Sequence, residues 1–208
     1  MFNFDIMGLL AGVPALILAI AGHEYAHARM ATWLGDPTPR LAGRLTLNPM
    51  AHIDAVGALA MFLIGFGWAR PVPINIAAFK DRRTDELLVA LSGPTSNVIM
   101  AFIAYCLMIG LDAANLLTSD ALYTALRLIV LYNINFAIFN MLPIPPLDGS
   151  SIIMTFMPWQ MRVQIYQFGW VSMFVFLLLL NSPIMSAIMY PLQRTILSAF
   201  QAIVQLII

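Results

Sequence analysis

The sequence predicts an all-α polytopic membrane protein with about five to six transmembrane helices and one short re-entrant or extended segment. Three observations support this fold class. Of the 208 residues, 61% are hydrophobic and only 10% are charged, whereas soluble domains carry about 25% charged residues. Apolar runs of helical length recur along the chain. Basic residues concentrate in two loops, as they do on the cytoplasmic side of membrane proteins.

The apolar runs place the predicted helices in order. The first uncharged run covers residues 6–22, and no Lys or Arg precedes it, so it lacks the basic start of a signal peptide. We expect a retained first helix that continues to about Leu34. Later apolar stretches give four further candidate spans and one short segment, and they cover residues 56–69, 87–111, 122–142, 165–180 and 184–208.

The positive-inside rule orients these segments. Two basic clusters, which we expect in the cytoplasm, are Arg29, Arg40 and Arg44, and then Arg70, Lys80, Arg82 and Arg83. The run at 56–69 lies between them, is short and rich in glycine, and is therefore predicted to be re-entrant or surface-lying. Arg194 interrupts the last apolar stretch, which favours a tilted or interfacial helix.

Charge and cysteine content limit the partners and the number of domains. Ten basic and ten acidic residues give no net charge, so we expect no nucleic-acid partner. The lone cysteine, Cys106, cannot form an internal disulfide bond. No linker, charge block or repeat divides residues 1–208, which predicts a single membrane-embedded domain.

The first apolar run ends in an H-E-x-x-H pattern, His23 to His27. Histidines at i and i+4 share one helical face, so both imidazoles can bind one tetrahedral metal ion. The intervening Glu24 is then placed to act on a water molecule. A Glu and two His at the edge of a bilayer are costly unless they are paired or functional, which favours a metal site. The alternative is a helix end whose polar side chains are solvated among the lipid headgroups.

A third protein ligand has to come from elsewhere in the chain. The candidates are His52, Asp54, Glu86 and Asp148, and position favours Asp148. The predicted helix at 122–142 runs inward and ends at the same side of the membrane as His23. Three prolines at 143, 145 and 146 cannot continue that helix, so we expect an extended segment that carries Asp148 into the interior. The alternative for Asp148 is a turn aspartate at the membrane surface.

Three motifs together resemble the site-2 protease family of intramembrane zinc metalloproteases: HEYAH at 23–27, SGPTSN at 92–97 and NMLPIPPLDG at 140–149. Two more, GRLTLNPMAHID at 43–54 and FGWARPVPIN at 66–75, narrow the resemblance to the compact prokaryotic branch without PDZ or CBS domains. The resemblance runs from about residue 8 to 150. We place the motif-bearing core at about 4–150, which includes the start of the first helix. The C-terminal helices at about 160–208 carry no recognisable motif.

The resemblance implies a role for each site residue. His23, His27 and Asp148 would bind one Zn²⁺ per chain, and Glu24 would be the catalytic base. Asn97 and Asn140 would contact substrate, stabilise an oxyanion or support the site. From their position after the Asn48-Pro49 turn, and not from the resemblance, His52 and Asp54 are candidates for a gate, a substrate contact or a transient fourth ligand, with a hydrogen-bonded structural pair as the favoured alternative. Separately from the resemblance, residues 44–47 alternate polar and apolar side chains, and the prolines in 71–76 exclude a helix there. We hypothesise that the two segments pair as a small sheet that accepts an unwound substrate strand near the active site, and ordinary loop packing is the alternative.

These observations predict an intramembrane zinc endopeptidase that hydrolyses peptide bonds within or near transmembrane segments of membrane proteins. Its partners would be a transmembrane substrate and the lipid bilayer, in a prokaryotic inner membrane with the active site toward the cytoplasm. A metal or proton transporter is one alternative, but the polar residues gather at one depth instead of lining a pathway. A catalytically silent helix-binding regulator is another, and the intact Glu24 argues against it.

Overall fold

The computed structural model describes residues 6–64, 67–180 and 182–206, which fold into helices joined by turns. Two 3₁₀ turns, at Pro49–Ala51 and Ile76–Ala78, lie in the connections. Within these ranges the chain forms no β-strand, which confirms the predicted all-α class. The α-helices are, in chain order, α1 (Ile6–Trp33), α2 (Thr38–Leu41), α3 (Ala55–Ile64), α4 (Arg82–Ala113), α5 (Asp120–Asn140), α6 (Asp148–Thr155), α7 (Trp159–Gln167), α8 (Gly169–Leu180) and α9 (Pro183–Gln205).

Helices α1, α4 and α5 pack against one another and form the centre of the molecule. Small side chains let α4 approach its neighbours closely, because Ala101 and Ala104 are buried where α4 meets Val130 and Ile134 of α5. Phe200 of α9 completes this cluster from the C-terminal side. The three-helix centre therefore holds the polar residues of α1 and α4 at fixed positions.

Two of the described helices, α4 and α5, are long and apolar enough to cross a membrane. Two further segments, Phe174–Leu180 of α8 and the whole of α9, are long and apolar enough only when taken together, and they are bent by 69° relative to each other. If they form one broken span, the chain has a third crossing. The chain is therefore a membrane protein, whereas the predicted five to six spans are not confirmed.

The segment predicted to be re-entrant or surface-lying folds back on itself. Ile53 and Ala69 pair in an isolated antiparallel bridge, and the N–H of Arg70 donates to the carbonyl of His52 over 2.8 Å. Residues 52–53, just before α3, therefore lie beside residues 69–70 of the return segment (67–71), so this part of the chain does not cross a membrane as a single helix. Gly57 allows the close return, because a Cβ there would lie 2.2 Å from the carbonyl oxygen of Trp68.

The hypothesised sheet between residues 44–47 and 71–76 is wrong. Residues 44–47 form no strand: the chain bends at 45–46, and the N–H of Thr46 bonds to the carbonyl of Arg44. The two segments are instead joined by the buried Arg44 guanidinium, which donates to the carbonyls of Ala51, Arg70 (3.2 Å) and Pro71 (3.3 Å). A side chain thus satisfies carbonyl groups that strand pairing would otherwise satisfy.

The expectation that the chain is extended from Pro143 to Asp148 is also wrong. The N–H of Ile144 bonds to the carbonyl of Leu142, and the N–H of Leu147 bonds to the carbonyl of Ile144. Consecutive turns therefore satisfy this backbone locally, which the proline pattern did not reveal. The turns end where α6 begins, at Asp148.

Candidate metal centre

Helices α1 and α6 bring three side chains to a single point. His23 and His27 lie one turn apart on α1, and Asp148 is the first residue of α6. The Nε2 atoms of the two histidines are 3.0 Å apart. Asp148 Oδ2 lies 3.0 Å from Nε2 of His23 and 3.2 Å from Nε2 of His27. This group is the one cluster of potential metal ligands found among the described residues.

Hydrogen bonds behind the two rings fix which nitrogen faces Asp148. Nδ1 of His27 is 2.8 Å from the carbonyl of Val89, which can only accept, so this Nδ1 carries the proton. Nδ1 of His23 is 2.7 Å from Oδ1 of Asn97 and donates to it. In the neutral rings both Nε2 atoms are then unprotonated acceptors.

Three acceptor atoms at 3.0–3.2 Å from one another repel unless a cation lies between them. Two imidazole nitrogens and one carboxylate oxygen are a common ligand set for catalytic zinc, which keeps a fourth position open. Ligand atoms about 2.0–2.1 Å from a tetrahedral zinc ion lie about 3.3 Å apart, close to the observed separations. The residues therefore fit a zinc ion by chemistry and by spacing.

Asn97 connects the metal centre to the helix core. It is fully buried, and its Nδ2 donates to the carbonyl of Ala19 over 3.0 Å and to Oδ1 of Asn133 over 2.9 Å. Because these bonds use both amide protons, Asn97 has no proton left for an oxyanion. Its contact with His23 is the support that a carbonyl or carboxylate usually gives to a metal-binding histidine.

Gly93 and Asn133 also belong to this centre, and the sequence did not indicate their roles. Asn133 is fully buried and accepts from Asn97. It lies seven residues before Asn140, two turns away on the same face of α5, and this spacing was the available signal. Gly93 faces the rings of His27 and His23, so its role is to leave space beside them.

Glu24 lines the same cavity as the three converging side chains. This cavity has a volume of about 690 Å³ and is bounded mostly by apolar residues. Glu24 is 9% exposed and has neither a hydrogen bond nor an ion pair in the described part of the chain. Its carboxylate is therefore available to a molecule in the cavity.

His52 and Asn140 line this cavity too. His52 is fully buried; its Nε2 donates to the carbonyl of Thr46 over 2.8 Å, and its Nδ1 has no partner among the described residues. Asn140 donates from Nδ2 to the carbonyl of Phe136 in its own helix over 3.0 Å. Both residues are thus near the metal centre, and their roles stay predictions.

The other candidates for the third ligand are engaged elsewhere. Asp54 accepts from the backbone N–H of Gly57 over 2.8 Å, which stabilises the start of α3. Glu86 forms an ion pair with Arg162 at 2.8 Å. The structure therefore brings Asp148, and neither of these two carboxylates, to the two histidines.

An all-helical membrane protein with an H-E-x-x-H helix and a distant aspartate belongs to the class of membrane metalloproteases. Comparison with known proteins gives the family: the chain belongs to peptidase family M50, the site-2 protease family. The family model described as "Peptidase family M50" matches residues 108–182, which include Asp148. Family membership and the ligand group together confirm the predicted metalloprotease and its zinc cofactor.

Three relatives illustrate the similarity. YwhC of Bacillus subtilis, which carries a zinc metalloprotease name, is 38% identical over 201 residues, or 93% of this chain and 92% of YwhC. MJ0611 of Methanocaldococcus jannaschii, similarly named, is 34% identical over 155 residues, 73% of each chain. Rip2 of Mycolicibacterium smegmatis, also so named, is 27% identical over 162 residues, 72% of this chain and 61% of Rip2. No solved structure matches the chain.

Proposed function

We propose that this protein is an intramembrane zinc endopeptidase, which cleaves peptide bonds within or near the transmembrane segments of membrane-protein substrates. The supporting observation is the shared cavity. Glu24 and the ligand group lie in it, while Val13, Leu16, Ile17 and Ile20 of α1 line its wall. These four residues belong to the uncharged run of 6–22. The cavity therefore extends along a part of α1 that is suited to the hydrocarbon core.

In this proposal His23, His27 and Asp148 hold the zinc ion. When bound, zinc lowers the pKa of water to about 7 and polarises the scissile carbonyl. Glu24 is the general base: its unpaired carboxylate accepts a proton from the attacking water and later donates it to the leaving amine. Asn97 holds the ring of His23, so its effect on catalysis is through the ligand.

Asn140 and His52 are the proposed substrate contacts. Asn140 has one amide proton beyond its bond to Phe136, and this proton can be donated to a substrate carbonyl or to a developing oxyanion. The Nδ1 of His52 is an acceptor, because its Nε2 holds the ring proton against Thr46. This nitrogen can therefore accept a hydrogen bond from a backbone N–H of an unwound substrate.

The proposed topology has five to six membrane spans, which include α1, in a single domain of a prokaryotic inner membrane. The metal centre would face the cytoplasm. The basic residues between α1 and α4 support this orientation, since Arg40, Arg70 and Lys80 are exposed there. Cysteine labelling tests this orientation. Single cysteines are introduced at these positions and treated with a thiol reagent that cannot cross membranes, and in intact cells we expect them to stay unlabelled.

Cleavage-site mapping tests the function. The purified protein is reconstituted with a single-span substrate, and the products are identified by mass spectrometry. We expect cuts inside or next to the transmembrane segment with wild type and none with Glu24→Gln. Cuts confined to soluble regions far from that segment would contradict intramembrane proteolysis. A metal-loaded protein that binds the substrate without cutting it would instead favour a silent regulator.

A further inference from the structure

A second cavity, of about 560 Å³, lies between the N-terminal part of α4 and the connection from α6 to α7. Its lining is unusually basic for a chain with 10% charged residues. Three arginines and one glutamate contribute to the wall: Arg82, Arg83, Arg162 and Glu86. Neither the metal centre nor the proposed substrate contacts involve these arginines.

The positive charge of this cavity is only partly neutralised. Glu86 pairs with Arg162 at 2.8 Å, and both side chains are largely buried. Neither Arg82 nor Arg83 forms an ion pair in the described ranges. The guanidinium of Arg83 instead lies 4.9 Å from the centre of the Phe156 ring. Two guanidinium groups with free N–H donors therefore remain for an anion.

The backbone N–H groups at the start of α4 are not free to bind an anion, because Asp81 already caps them. Its carboxylate accepts from the N–H groups of Arg83 and Thr84, each at 3.2 Å. A hydrogen bond from the Thr84 hydroxyl also lowers the pKa of Asp81, so this cap stays ionised. The charge of Arg83 contributes to the same lowering, so Asp81 offsets part of the charge of Arg83 without forming an ion pair with it. An anion would thus be held by the arginine side chains.

Large aromatic side chains at the cavity are exposed on the protein surface. Trp159 is 68% exposed and Phe156 is 59% exposed, and both line the cavity. Tryptophan is enriched where the headgroups of a bilayer meet its hydrocarbon core. A phospholipid presents a phosphate next to acyl chains. Arginines can bind the phosphate, and neighbouring aromatic rings can contact the acyl chains.

We propose that this cavity binds the phosphate of an anionic phospholipid, with Arg82 and Arg83 as the phosphate ligands. The ion pair between Glu86 and Arg162 forms another part of the wall. Free phosphate shares the chemistry of the headgroup but lacks acyl chains. The anionic lipid should therefore bind far more tightly than inorganic phosphate.

Native mass spectrometry of the purified full-length protein, titrated with phosphatidylglycerol, tests the proposal. In Arg82→Ala/Arg83→Ala we expect the half-saturating lipid concentration to rise about thirtyfold, from the ordinary contribution of two arginines near an anionic surface. Arg40→Ala/Arg127→Ala removes the same charge from exposed positions outside the cavity and should bind as wild type does. Zwitterionic phosphatidylcholine should bind weakly to all three proteins.

Equal phosphatidylglycerol binding by wild type and Arg82→Ala/Arg83→Ala would overturn the proposal, and so would an equal loss in the Arg40→Ala/Arg127→Ala control. Displacement of the lipid by inorganic phosphate at a similar concentration would assign the cavity to a soluble anion and overturn the lipid assignment. Helicity measured by circular dichroism checks that each variant is folded. Arg82→Gln/Arg83→Gln, which keeps long polar side chains, replaces the alanine variant if that variant does not fold.

Discussion

Gly93 of α4 lies so close to His27 of α1 that a Cβ atom on residue 93 would be 2.4 Å from Nε2 of His27. The same atom would be 2.6 Å from Cε1 of His23. Neither ring is free to move away, because the Nδ1 atom of His23 is bonded to Asn97 and that of His27 is bonded to the carbonyl of Val89. The metal centre therefore depends on the absence of a side chain in a helix that contributes no ligand.

Gly93→Ala should displace the histidines and reduce bound zinc well below one ion per chain. The control is Gly110→Ala in the same helix, where an added Cβ has no atom within 4 Å. This control should keep its zinc and gain slightly in stability, because alanine favours helix over glycine. Metal analysis of both purified variants tests this, and full zinc content in Gly93→Ala would contradict the proposed geometry.

Asn97→Ala should weaken zinc binding without removing a ligand. His23 would lose the acceptor for its Nδ1 proton, and loss of such a partner typically lowers metal affinity about 10–100-fold. Competition with a chelator measures the affinity. Asn135→Ala, an amide deletion in α5 outside the cavity, is the matched control. Equal affinity in Asn97→Ala and wild type would show that this hydrogen bond does not support the ligand.

Arg44→Ala should loosen the return segment and leave the zinc in place. The substitution removes hydrogen bonds to the carbonyls of Ala51, Arg70 and Pro71. Each intramolecular hydrogen bond of this kind contributes about 0.5–1.5 kcal/mol to stability. Hydrogen exchange of residues 49–53 and 67–71 should therefore become faster, while Arg40→Ala, an exposed control, leaves it unchanged. Unchanged exchange in Arg44→Ala would contradict the role of Arg44 in holding this segment.

The ligand group could be predicted from sequence because its chemistry restricts residue type and spacing. His23 and His27 are four residues apart on a helix, and Asp148 follows a helix end at the same predicted side of the membrane. The supporting residues were harder to predict. Asn133 bonds to another asparagine, and Gly93 acts by leaving space, so each role depends on which helices are neighbours.

The helices were predictable for a similar reason, whereas the connections were not. A long apolar run has few alternatives to a helix in a membrane. The alternation at 44–47 suggested a strand, but the buried Arg44 satisfies the neighbouring carbonyls instead. The prolines after Leu142 excluded a helix correctly, yet they did not distinguish an extended chain from consecutive turns.

The most direct test of the proposed mechanism is zinc content and cleavage measured together in wild type, Glu24→Gln and Asp148→Ala. Wild type should hold one zinc ion per chain and cleave a single-span substrate. Glu24→Gln should keep its zinc and lose cleavage, because it loses the base and retains the ligands. Asp148→Ala should lose both. A wild type without zinc, or cleavage by Glu24→Gln at the wild-type rate, would contradict the account.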